Sequence, residues 1–236
     1  MIKPFVVIIP SAGHGKRFGK DIPKQYLKIR GKTILELSVK PFLDFSECVG
    51  ICIPKSPEED HWRSIALEST KIHFIDGGKT RLESVLEGVE YWRSSGFDFS
   101  ALITHDAVRP CLRKSEVRLL LETFFNDAVD GAILGAPCSD TIKRVYSEDL
   151  IVDKTMDRDS LWSAFTPQVF HKESILKAFE NLDLENGTYN DEASLIEAKS
   201  GKIKLVEGSK DNIKITFLKD LSLAESILDN QGRINN

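Results

Sequence analysis

Phe5-Val6-Val7-Ile8-Ile9 is apolar at every position, and the runs at 49–53, 72–75, 101–103 and 131–134 are nearly so. A strand with one wet face alternates apolar and polar residues, so runs this continuous belong to a sheet buried on both sides. Amphipathic stretches with explicit start signals lie between the runs. Thr33-Ile34-Leu35-Glu36 and Thr80-Arg81-Leu82-Glu83 read as capping boxes, and Ser56-Pro57-Glu58-Glu59 adds proline at the first helical position. After Thr80, residues Leu82, Val85, Leu86, Val89 and Trp92 keep helical spacing and should face the sheet. Strand–helix alternation of this kind predicts an α/β fold, Rossmann-like, with a mostly parallel sheet and helices on both faces.

The rhythm breaks after residue 134. Residues 137–160 carry Pro137, the alternating stretch Thr141-Ile142-Lys143-Arg144-Val145, a turn-like Ser147-Glu148-Asp149 and a second short strand at 151–155. This reads as a projecting hairpin. Two strands alone are marginal in water, so the arm should pack on something, and a second subunit is the natural candidate. Helices near 172–180, 191–200 and 219–229 and a strand at 203–206 complete the pattern. With no internal repeat and no linker, the 236 residues read as a single domain with an arm.

The formal net charge of -4 conceals a gradient. Residues 1–40 hold nine Lys or Arg against Asp21 and Glu36, an excess of +7 that leaves -11 for the remainder. A local basic cluster on an acidic chain suggests an anion site, and the absence of a basic face with interleaved aromatics argues against nucleic-acid binding. No apolar run approaches the roughly 18 residues of a membrane span, and the start of the chain lacks signal-peptide character, so a soluble cytoplasmic protein is expected. Cys48, Cys52, Cys111 and Cys138 form no CxxC pair, and the five histidines form no HExxH. Buried inert thiols and no structural metal are expected, with a carboxylate-bound Mg²⁺ still open.

The first run leads into Ser11-Ala12-Gly13-His14-Gly15-Lys16-Arg17-Phe18-Gly19-Lys20. A glycine-rich loop at the carboxyl end of the first strand of a parallel sheet is where phosphates bind, because backbone N–H groups can approach the oxygens. The common signatures fail here. GxGxxG would need glycine in place of Phe18, and a P-loop ending at Gly19-Lys20 would need glycine for His14 and Ser or Thr for Asp21. A dinucleotide dehydrogenase or P-loop kinase is disfavoured.

The loop continues to Pro23-Lys24-Gln25-Tyr26-Leu27. Further motifs are Asp76-Gly77-Gly78 with Arg81 and Ser84, His105-Asp106-Ala107-Val108-Arg109-Pro110, Leu161-Trp162-x-Ala164-x-Thr166-Pro167-Gln168 and Asp211-Asn212-Ile213-Lys214. In this order, over essentially the whole chain, they resemble the 2-C-methyl-D-erythritol 4-phosphate cytidylyltransferase family of the non-mevalonate isoprenoid pathway. Ribitol-5-phosphate cytidylyltransferases share much of the nucleotide site and are the alternative. Asp157-Arg158-x-x-Leu161-Trp162 and Asn190-Asp191-Glu192-Ala193-Ser194 resemble the methylerythritol enzymes more closely.

The resemblance implies transfer of CMP from CTP to a sugar-alcohol phosphate, with Mg²⁺ and release of pyrophosphate. It implies that Arg17, Lys24 and Lys214 are catalytic, surrounding the triphosphate, and that Asp106 is the metal ligand. Ser11, Ala12, Gly13, Gly15, Gly77, Gly78, Arg81 and Ser84 would bind CTP. Arg109, Thr141, Arg158, Thr166 and Asn190 would bind the acceptor substrate, with Thr141 and Arg158 acting across a homodimer interface through interlocked arms. No general base is needed, since the attacking phosphate is already ionised, and no nucleophile–base constellation is found in the chain.

Overall fold

The computed structural model describes residues 1–13, 22–146, 149–180, 182 and 189–234. Its strands are β1 (Phe5–Ile8), β2 (Lys28–Ile29), β3 (Lys32–Thr33), β4 (Cys48–Lys55), β5 (Ile72–Asp76), β6 (Ala101–Thr104), β7 (Gly131–Pro137), β8 (Lys143–Val145), β9 (Val152–Thr155), β10 (Trp162–His171) and β11 (Ile203–Glu207). The helices are α1 (Ile34–Leu43), α2 (Arg81–Ser94), α3 (Lys114–Asn126), α4 (Lys172–Phe179), α5 (Glu192–Ala198) and α6 (Asp220–Asn230).

Seven strands form one sheet in the order β11-β7-β10-β6-β1-β4-β5. All neighbours pair in parallel except β10, which runs antiparallel between β6 and β7. Burial on both faces explains the continuous apolar runs. Along β1, Phe5 and Val7 join the core beneath α1 and α3, while Val6 and Ile8 join the core that α2, α4 and α5 cover. The stripe on α2 behaves as its spacing predicts: Val85, Val89 and Trp92 are fully buried and Leu82 and Leu86 pack at the margin. No helix among the described residues is long and apolar enough to cross a membrane.

Two of the expected capping boxes form. Thr33 Oγ1 accepts from Glu36 N and Thr80 Oγ1 from Glu83 N, each at 3.1 Å. The third signal, at Ser56, does not start an α-helix. Ser56 Oγ instead accepts from Glu58 N, and a single 3₁₀ turn follows at His61–Ser64. The reason is the absence of an apolar stripe to bury: after the signal, only Trp62 and Ile65 reach the core through residue 65. Helix α3 and strand β10 are additions to the sequence reading. The latter was hidden because its first three residues are exposed and the next six buried, giving neither alternation nor an unbroken apolar run.

The arm is present as β8 and β9, which among the described residues pair only with each other. It carries Val145, Tyr146, Leu150, Ile151 and Val152 as exposed apolar side chains. Of the four thiols, three are buried and free, and burial pushes Cys48 and Cys111 up to about 12. Cys138 departs from expectation: it is half-buried, because the chain leaves the sheet for the arm at that point.

Candidate active site

Strand order reverses direction between β1 and β6: from β1 the chain builds outward to β4 and β5, and from β6 it builds the other half. Such a switch leaves a crevice at the carboxyl ends of the two strands. Ser11, Ala12 and Gly13 follow β1 and Asp106 follows β6, and all line one cleft together with Lys24, Arg81, Ser84 and Lys214. Five stretches of sequence, spread from residue 10 to residue 214, thus meet at one sheet edge.

Gln25 holds the near wall. Its Nε2 donates to Ser11 O at 2.8 Å and to Gly13 O at 3.2 Å, fixing the entrance of the glycine-rich loop from within a buried position. Lys24, its neighbour, donates to Ile215 O at 3.0 Å, which brings it beside Lys214. Behind Ala12 and Ser84, Gly77 must be glycine for space. A Cβ there would stand 2.8 Å from Ala12 Cβ and 3.0 Å from Ser84 Oγ. At Gly78 a Cβ would lie 2.3 Å from Glu83 Cβ. Ser84 Oγ donates within the same turn, to Thr80 O at 2.9 Å.

Asp106 is the centre of charge. Arg81 Nε reaches its Oδ1 at 3.0 Å, and Arg109 Nε and Lys214 Nζ reach its Oδ2 at 3.1 Å each. Burial would raise this carboxyl's pKa, but Arg81, Lys214 and Arg109 overrule it and hold the group well below the usual carboxylate range. Arg81 is itself anchored by a second acid. Its Nη1 and Nη2 donate to Glu192 Oε1 and Oε2 at 2.6 and 3.1 Å. Burial works against the Arg81 cation, yet Glu192 and Asp106 raise its pKa.

A second cleft adjoins the first, lined by Arg109, Asp140, Ile142, Phe165, Lys210 and Asn212 among others. Arg109 stacks 5.6 Å over the Phe165 ring, donates from Nη1 to Asn212 O at 2.7 Å, and is tied to the first cleft through its ion pair with Asp106. The acceptor-site residues expected from sequence divide here. Thr166 is buried, and its hydroxyl serves the interior: it accepts from Asp106 N and meets His105 Nδ1, both at 3.0 Å. Thr141 and Asn190 are exposed, and Arg158 donates to Ser139 O at 2.8 Å on the arm; none of these three lines the second cleft in its own chain. Gly15 and Arg17, with Lys16 and Lys20 of the basic cluster, lie outside the described residues. Gln25 and Glu192 were inside quoted motifs without a role; nothing local to either marks its partner.

The donor set suits one kind of metal. Among the described residues no three His, Cys, Asp or Glu side chains come together, and Asp106 is the one carboxylate lining the first cleft. A carboxylate offers about four lone-pair positions, of which three are taken by Arg81, Arg109 and Lys214. That leaves room for a cation whose other ligands are waters and substrate phosphates, the habit of Mg²⁺.

A glycine-rich loop, a cationic crevice and a buried aspartate at the switch point of a mixed α/β sheet define a nucleotide-handling enzyme of the nucleotidyltransferase class. Comparison with known proteins narrows this. The family model of 2-C-methyl-D-erythritol 4-phosphate cytidylyltransferase matches residues 5–230. The chain is 39% identical over 229 residues to the enzyme of that name from Wigglesworthia glossinidia brevipalpis, covering 95% of this chain and 96% of the relative. It is 38% identical over 233 residues to that of Actinobacillus pleuropneumoniae, covering 97% of each. The crystal structure of the Francisella tularensis enzyme superposes with a TM-score of 0.79 at 33% identity, over 96% of this chain and 100% of that one. The protein belongs to the 2-C-methyl-D-erythritol 4-phosphate cytidylyltransferase family.

Proposed function

We propose that the protein transfers CMP from CTP to 2-C-methyl-D-erythritol 4-phosphate, by direct in-line attack of the acceptor phosphate on the α-phosphorus with expulsion of pyrophosphate. The observation that carries the reading is the convergence of Lys24, Arg81, Lys214 and Asp106 on one crevice beside the Ser11–Gly13 loop. Two polyanions must be brought together, and negative charge grows on the equatorial oxygens as the new bond forms. Fixed cations and positioning do most of that work. A phosphate monoester loses its second proton near pH 6, so its oxygen attacks without a base.

In this reading Lys24 and Lys214, held side by side through Ile215, neutralise the reacting phosphates, and Arg17 from the glycine-rich loop adds a third cation. Gly77, Gly78 and Ser84 form a close-walled base pocket that suits a pyrimidine. Asp106, with CTP oxygens, would hold Mg²⁺, which when bound draws charge from the α- and β-phosphates. Arg109 lines the second cleft, bonds Asp106 of the first, and would guide the acceptor phosphate towards the nucleotide. The chain acts as a single domain whose arm interlocks with that of a second copy, bringing the partner copy's equivalents of Thr141 and Arg158 to the acceptor.

Purified protein given CTP, Mg²⁺ and methylerythritol phosphate should release pyrophosphate. Equal or faster release with ribitol 5-phosphate would overturn the acceptor assignment. Lys24→Ala and Lys214→Ala should each lower kcat by about 10²–10³, the usual scale for losing one transition-state cation or donor. Their thermal midpoints should stay close to that of the parent; large drops in both would make these lysines structural.

A further inference from the structure

Glu192 is a fully buried carboxylate to which the reaction assigns no task. Its position is rigidly set. It opens α5 directly after the cap Asp191, which accepts from Ser194 N at 3.0 Å. Gln168 on β10 clamps the same segment from both ends of its amide: Nε2 donates to Asp191 Oδ2 at 2.7 Å and Oε1 accepts from Ala193 N at 3.2 Å. Thr104, the last residue of β6, donates from its hydroxyl to Glu192 Oε2 at 2.7 Å. The carboxylate is therefore gripped by the sheet on one side and by Arg81 on the other.

The manner in which Arg81 is shared matters. A guanidinium offers two carboxylate-matched forks, one end-on from Nη1 and Nη2 and one side-on from Nε and Nη2. Glu192 occupies the end-on fork with both oxygens. That grip seats the guanidinium, and Arg81 meets Asp106 through Nε, on Oδ1. Oδ2 of Asp106 is left to Arg109 and to the half-exposed Lys214. Remove the Glu192 charge and Arg81 loses the anchor that places Nε against Oδ1, so the orientation of the Asp106 carboxylate is no longer fixed from that side.

We infer that Glu192 is a positioning residue: by gripping the end-on fork of Arg81 it fixes where Nε meets Oδ1 of Asp106, and so holds that carboxylate with its remaining lone-pair position, on Oδ1, open to a cation–phosphate ligand. This rests on the proposed role of Asp106 in the nucleotide site, and it assigns Glu192 no contact with substrate.

The test uses the full chain, with Mn²⁺ as the probe cation and paramagnetic resonance of free Mn²⁺ as the readout in the presence of CTP and no acceptor. Glu192→Gln keeps the shape of the side chain but loses the charge that claims the fork. In protein shown by circular dichroism to be folded at the assay temperature, its Mn²⁺ dissociation constant should rise by about 10-fold or more, the range found for residues that orient a metal ligand. KM for the acceptor phosphate should remain within about twofold, because its cleft is untouched. Thr104→Val, which removes one hydrogen bond to Glu192 without touching Arg81, should shift the Mn²⁺ constant in the same direction by a few-fold. If Glu192→Gln does not fold, this variant decides alone. Unchanged Mn²⁺ affinity in the folded variant overturns the inference. So does an affinity loss that merely follows the folded fraction as temperature is varied. Failure of the parent protein to turn over the acceptor would count against the proposed reaction, while the Mn²⁺–CTP measurement would still judge Glu192.

Discussion

His105 shows how one residue of the active-site motif serves the fold. It is wholly buried, its Nδ1 is 3.0 Å from Thr166 Oγ1, and its ring packs edge-on against Phe42 at 5.3 Å. Burial pushes its pKa from 6.5 down to about 3, despite the opposing pull of Asp106. The unfolded chain therefore binds a proton near pH 6.5, where the folded chain stays neutral. Stability is fully present above that pH and is lost as pH falls towards 3, with a slope of up to about 1.4 kcal/mol per pH unit from this site. Urea midpoints measured at pH 7, 6 and 5 should fall for the parent protein and fall less steeply for His105→Gln. Parallel slopes in the two proteins would contradict this account. The neighbouring Asp106 could be picked out as chemical from its motif, and Arg109 lies three residues on in the same motif, but Arg81 and Lys214 could not be matched to it. They lie 25 and 108 positions away along the chain, and only the sheet edge collects them.

At the scale of elements, α2 joins the core to the site. Its capping box sets Arg81 as the first helical residue, and its far end buries Trp92, whose indole Nε1 donates to Val7 O at 3.2 Å. Midway, Gly88 allows the helix to lie against β1. A Cβ there would stand 2.8 Å from Ile8 Cγ2 and 2.9 Å from its Cδ1, and Ile8 is wholly buried. Alanine would gain about 1 kcal/mol of helix propensity, but overpacking a closed core costs about 1–3 kcal/mol. Gly88→Ala should therefore destabilise by about 1 kcal/mol in urea unfolding, against the sign that propensity alone predicts. A stabilised variant would show that α2 can lift from β1. The capping boxes at Thr33 and Thr80 were legible because the side chain and its target are three residues apart and an apolar stripe follows. The signal at Ser56 has the first property and lacks the second. Strand β10 was illegible for a related reason: its pattern reflects a passage from an exposed arm into a fully buried slot between β6 and β7.

For the whole molecule, the arm is the open question in solution. Among the described residues its strands pair only with each other, and Tyr146, Leu150 and Ile151 are each at least 60% exposed. A two-stranded hairpin with this much apolar surface is stable only when something covers it. Sedimentation at micromolar concentration should give a dimer, and Ile151→Asp should shift it to monomer with a parallel loss of turnover. A monomeric, fully active parent protein would refute the interlocked arms.

The sequence by itself determined the layering of this protein, the carriers of its charge and its family. Those properties rest on short-range periodicity and on motifs whose residue types are dictated by phosphate chemistry. Tertiary structure alone decided who partners whom. It turned Thr166 inward to His105 and Asp106, paired Arg81 with a glutamate 111 residues away, and bonded Gln25 to Ser11 and Gly13. Such pairings depend on distances between strand ends, which are set only once the sheet order is, and no local pattern in the chain encodes them.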